Sequence, residues 1–107
     1  YRDDAGLDLL QEDVLLNQSA AKKCADMQNR RYFDHSINGE SFSKFFPRRF
    51  WTGENLAQNY WTPQSTVAAW FASPKHKENL LRFSYHYIGV ATCDGPEGHL
   101  TVQHFSD

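Results

Sequence analysis

The chain has 107 residues, 40% of them apolar and 15% aromatic, with eight Phe, five Tyr and three Trp. A chain of that size buries roughly 60–70% of the surface it exposes when unfolded, so one domain with an aromatic-rich core is expected and disorder is excluded. Its 11 basic and 13 acidic residues are interleaved and leave a formal charge of −2, which argues against nucleic acid or an anionic membrane as the main partner; no apolar run is long enough to span a bilayer.

The opening Tyr1-Arg2-Asp3-Asp4 has neither a methionine nor an apolar leader, as a mature or trimmed segment would. Leu10, Leu16, Ala20, Cys24 and Met27 then recur at helical spacing, with Glu12 and Asp13 at the start and Lys22, Lys23, Arg30 and Arg31 toward the end. That charge order suits the helix dipole and predicts a long amphipathic helix from about Asp13 to Arg31, with Cys24 and Met27 in the core. The basic pairs Lys22-Lys23, Arg30-Arg31 and Arg48-Arg49 read as solvated faces.

Asn38-Gly39 marks a turn, and Ser41 caps a short helix through Phe42, Phe45 and Phe46 that Pro47 ends. Gly53-Glu54-Asn55 reads as another turn. Thr62-Pro63 supplies a capping hydroxyl and a proline at the first helical position, ahead of Val67, Trp70 and Phe71 on one side. Ser73-Pro74 repeats the device and predicts a shorter helix carrying His76, Asn79 and Leu80, so capping already accounts for Ser73. Tyr85 to Cys93 and His99 to Phe105 form a hairpin about Asp94-Gly95-Pro96-Glu97-Gly98. Gly89 and Ala91 leave one face thin enough for a helix to pack closely and Ile88 and Val90 line the other, so the sheet is expected to be covered on both faces. Cys24 and Cys93 are compatible, on count alone, with a disulfide or with two buried thiols.

Three segments bring chemistry: Asp34-His35-Ser36, Gly53-Glu54-Asn55-Leu56-Ala57, and Ser73 to Leu81 with His76. His35 and His76 with Glu54 are the right residue types for zinc or another divalent cation, with Glu54 completing the site or acting as base on a bound water. No HExxH or paired CxxC is present. The structural alternative makes His35 a turn residue and pairs His76 with Glu54, while Asn55 and Asn79 tie the short helix to the sheet. A nucleophilic Ser73 would need His76, three residues on, as its base. His86, His99 and His104 read as surface or rim residues, with His99 and His104 on opposite strand faces. Trp51, Tyr60 and Trp61 flank the Glu54 segment, either as core or as the rim of an apolar ligand site.

The ordered set resembles the CAP superfamily, the cysteine-rich secretory, antigen 5 and pathogenesis-related proteins with the SCP-like extracellular domain. The resemblance runs through Gly6-Leu7, Leu16, Ala20, Asp26-Met27, Tyr32-Phe33-Asp34-His35-Ser36, Gly53 to Ala57, Val67, Trp70, Ser73 to Leu81, Ile88-Gly89-Val90 and Gln103-His104-Phe105. Its serine-proline-x-histidine helix is similar to the bacterial, cysteine-poor branch. The resemblance implies one α/β domain over residues 1–107, a three-layer α-β-α sandwich with a small, mainly antiparallel sheet, trimmed at the start of the usual first helix. It implies a secreted, monomeric protein and a cleft onto which His35, Glu54 and His76 map, where members bind a metal, a sterol or a fatty acid. Animal and plant members have a second cleft glutamate where this chain has Ser73, and the stretch from Ser41 to Gly53 is shorter than usual. In an extracellular family Cys24 and Cys93, one on the inner side of the first helix and one at a strand end beneath it, are expected to form a disulfide.

Two functions follow from this set. One is a non-enzymatic extracellular domain whose cleft of His35, Glu54, Ser73 and His76, or aromatic rim, binds a small apolar ligand or a protein partner. The other is a zinc-dependent hydrolase or protease with Glu54 as general base.

Overall fold

The computed structural model describes residues 2, 5–47, 51–95 and 98–107, so Arg48, Arg49 and the Pro96-Glu97 tip of the hairpin lie outside the described residues. A two-residue strand, β1 (Gln11–Glu12), leads into α1 (Val14–Arg30), where the Asp13 carboxylate accepts the Leu15 N–H at 2.8 Å as N-cap. Arg31 closes the helix in the left-handed conformation, φ 59°. A small hairpin of β2 (Ser36–Ile37) and β3 (Glu40–Ser41) turns on Asn38 and Gly39, both at positive φ as a two-residue hairpin turn requires. One 3-10 turn, Phe42–Phe45, follows with Ser41 as cap.

The central sheet contains β4 (Thr52–Gln58), β5 (Tyr87–Gly95) and β6 (Gly98–Ser106) in the order β1-β5-β6-β4, antiparallel except for the β1–β5 pair. Between β4 and β5 come α2 (Pro63–Ala72), opened by a Thr62–Ser65 capping box, and α3 (Pro74–Leu81). One core lies on the α1 face, where Ala20, Cys24 and Met27 meet Leu56, Leu100 and Val102. The second lies on the other face, where Trp70 and Leu80 pack with Ala57, Tyr85 and Phe105. These two cores make the three layers of the expected α-β-α sandwich.

Gly89 sets the distance between α1 and the sheet: a Cβ there would stand 2.1 Å from the Leu16 carbonyl carbon. Cys24 and Cys93 are joined as a disulfide with their Cα atoms 6.1 Å apart, tying α1 to β5. The outer edge of β4 is closed by its own chain. Tyr85 Oη donates to the Thr52 carbonyl at 3.0 Å, Asn79 Nδ2 to that of Glu54 at 3.1 Å and Trp70 Nε1 to that of Leu56 at 2.9 Å.

Four local expectations change. Gly53-Glu54-Asn55 is strand and not turn, because tertiary partners override its weak strand propensity; at Gly53, for example, a Cβ would fall 2.3 Å from Tyr85 Oη. Ser73 starts α3 without a side-chain cap bond. Lys23 belongs to no solvated pair, since it is 1% exposed. The second face of the sheet is covered only in part, leaving a groove of about 390 Å³ lined by Val90, Thr92, His99, Gln103, Tyr60 and Trp61.

A histidine–glutamate cleft as the candidate functional site

β4 and β6 pair with Glu54 opposite His104. As a carboxylate Glu54 can only accept hydrogen bonds; Oε1 takes one from His35 Nδ1 at 2.8 Å and Oε2 one from His104 Nε2 at 2.7 Å. Behind His104, its Nδ1 lies 2.7 Å from Ser19 Oγ on α1. The side chains of Glu54 and His104 are wholly buried, whereas that of His35 is 49% exposed. Phe46 stacks on His104 with centroids 4.2 Å apart, and Phe42 meets His35 edge-on at 6.0 Å. A string of polar groups thus crosses the domain under an aromatic cover, from α1 to one accessible imidazole.

The turn that presents His35 is held by Lys23. Its ammonium donates to Tyr32 Oη at 3.2 Å and to the carbonyls of Asp34 and His35 at 2.8 and 3.1 Å, which uses all three protons. Burial lowers its pKa, opposed by the charges of Glu54, Asp26 and Asp34. Tyr32 Oη in turn donates to Asp26 at 2.6 Å, and burial with that bond raises the phenol's pKa.

His76 reaches the same strand edge from α3. Its Nδ1 is 3.0 Å from Ser73 Oγ, so the serine left without a capping role is the imidazole's partner. Asn55 Nδ2 donates to the His76 carbonyl at 3.2 Å, and Asn79 Nδ2 donates to Asn55 Oδ1 at 2.9 Å, which pins α3 to β4 as expected of these two amides. Burial, and secondarily the charge of His35, hold the His76 imidazole below the usual histidine range. Phe33, Leu56, Tyr60, Trp70, Ser73 and His76 line a groove of about 280 Å³ along this edge. Tyr60 and Trp70 also wall the larger groove, where Trp61 stacks on His99 at 4.9 Å; Trp51 lines neither groove.

His35, Glu54, Ser73 and His76 therefore flank one edge of the sheet, but in two pairs. The His76–Glu54 pairing of the structural alternative is not formed: His76 pairs with Ser73, and Glu54 is shared by His35 and His104. For a resident metal the donor set falls short: both Glu54 oxygens are engaged, two imidazoles remain, and among the described residues no group of three or more His, Cys, Asp or Glu side chains is arranged to hold an ion. Burial pushes the His104 pKa down against the pull of Glu54. His104 is a core residue and not a rim one. It shares a β6 face with Leu100 and Val102, so strand alternation under a helix marks it as a buried polar position.

This three-layer sandwich is the fold of an SCP-type domain. Residues 1–105 match the cysteine-rich secretory protein family, CAP, and the chain belongs to that family. It is 37% identical over 109 residues to the protein YkwD of Bacillus subtilis, covering 97% of this chain and 42% of that protein, so it spans under half the length of that relative. Two solved structures share the fold at a TM-score of 0.85 and 24% identity. An outer surface protein of Borrelia burgdorferi aligns over 99% of this chain and 83% of its own. An extracellular SCP-domain protein of Bacillus anthracis aligns over 98% and 36%. Among the described residues no helix is long and apolar enough to cross a membrane.

Proposed function

We propose that this domain works outside the cell as a non-enzymatic binding module, and that the groove along β4 takes a small apolar or amphipathic ligand of lipid type. The observation that carries this reading is the composition of the groove: Phe33, Leu56, Tyr60 and Trp70 supply apolar lining, with Ser73 and His76 among its polar groups. The Cys24–Cys93 disulfide supports an oxidising compartment, as do the outer-surface and extracellular relatives. The hydrolase reading would need Glu54 free to take a proton from water, and imidazoles engage both its oxygens.

The test is thermal denaturation against a panel of fatty alcohols, fatty acids and sterols. A ligand at ten times its Kd adds about 1.4 kcal/mol and raises Tm by roughly 6–11 °C for a domain of this size. Phe33→Ala and Tyr60→Ala should shrink that rise. No shift with any lipid would hand the groove to an extracellular protein partner.

A further inference from the structure

His35 is the accessible end of a hydrogen-bonded string whose other members are buried, and the proton positions beside Glu54 follow by elimination. A carboxylate cannot donate, so the imidazole nitrogens facing Glu54, Nδ1 of His35 and Nε2 of His104, must both carry hydrogen. The opposite tautomer of His35 would set a bare ring nitrogen 2.8 Å from a carboxylate oxygen. With Nε2 of neutral His104 committed as donor, its Nδ1 is an acceptor, and the group 2.7 Å away that can donate to it is the Ser19 hydroxyl. That hydroxyl has one hydrogen and a second, longer acceptor in the Leu16 carbonyl at 3.0 Å, so it donates to Nδ1 in one rotamer and to Leu16 in the other.

We infer that Ser19 and His104 are positioning residues for the cleft: through Glu54 they hold neutral His35 as the Nδ1–H tautomer and leave its Nε2 bare, as a hydrogen-bond acceptor on the exposed side of the ring. Neither residue touches the groove, and each acts only through the next. His104 keeps Glu54 Oε2 occupied, so the carboxylate stays oriented with Oε1 toward His35. Lys23 fixes the other end by holding the His35 carbonyl at 3.1 Å.

Long-range proton–nitrogen spectra of histidine-labelled free protein at pH 7.5 read the tautomer directly, whether or not any lipid binds. In the native chain the His35 Nε2 resonance is expected where an unprotonated ring nitrogen falls, with Nδ1 protonated. His104→Phe removes the donor to Oε2, and His35 should become a tautomer mixture. His104→Gln, whose amide can donate to Glu54 and accept from Ser19, should restore the native signature. Ser19→Ala leaves the aromatic packing in place, and should move both the His104 Nδ1 and the His35 resonances. A native His35 protonated on Nε2 overturns the inference, as does an unchanged His35 signature in folded His104→Phe and in Ser19→Ala. The spectra decide the tautomer independently of any melting shift with lipid.

Discussion

Reduction of the Cys24–Cys93 disulfide is the perturbation whose size follows most directly from the structure. The two cysteines are 69 residues apart in sequence and join α1 to β5. Releasing a loop of about 70 residues returns chain entropy to the unfolded state worth about 4.4 kcal/mol at 25 °C in the loop-closure treatment. Total stabilities of single domains are about 5–15 kcal/mol, so the reduced protein should keep only a fraction of its stability. Urea denaturation of the oxidised protein and of a Cys24→Ala/Cys93→Ala double variant measures this as a lower midpoint. The slope should steepen too, because the uncrosslinked chain exposes more surface on unfolding. Loss of buried sulfur packing adds to the effect, since Cys24 lies in the α1 core. A fall below about 1 kcal/mol would refute the idea that this crosslink chiefly restricts the unfolded chain.

Other outcomes follow from single contacts. Gly89→Ala should cost about 3 kcal/mol, because the new methyl meets α1 backbone that cannot rotate away; Gly39→Ala, in open space at φ +80°, should cost only about 1 kcal/mol, and equal losses in chemical denaturation would contradict the close approach. The folded-state pKa of His104 lies below its unfolded value. The unfolded chain therefore binds the extra proton first, and stability should be level above about pH 6.5 and fall below it by up to ~1.4 kcal/mol per pH unit. Urea midpoints from pH 7.5 to 5.5 should show that slope in the native chain and a reduced one in His104→Gln. Metal analysis of purified protein should find no stoichiometric zinc; one zinc per chain, lost in His35→Ala and His76→Ala, would reverse the reading of the donor set.

Where local chemistry decided the structure, the sequence was enough. Asp13, Asn38-Gly39 and Thr62-Pro63 act through neighbours a few residues away, and each does what its type predicts. Gly53-Glu54-Asn55 is strand only because Tyr85, His35, His104, His76 and Asn79 meet it from distant segments. Ser73 shows the same limit: a serine before a proline explains itself locally as a cap, and its bond to His76 was visible only as an alternative at helical spacing. Lys23 was legible in principle. It shares the stripe of Leu16, Ala20, Cys24 and Met27, and the basic pair it forms with Lys22 masks that period.

The carbonyls of Thr52, Glu54 and Leu56 face away from the sheet and each already receives a hydrogen from Tyr85, Asn79 or Trp70. A strand arriving from another molecule would have to displace three side chains of α2, α3 and the segment before β5 to find acceptors there. The opposite margin, β1, is two residues long. Among the described residues, copies of this domain held close together thus find neither margin of the central sheet ready to zip into its counterpart.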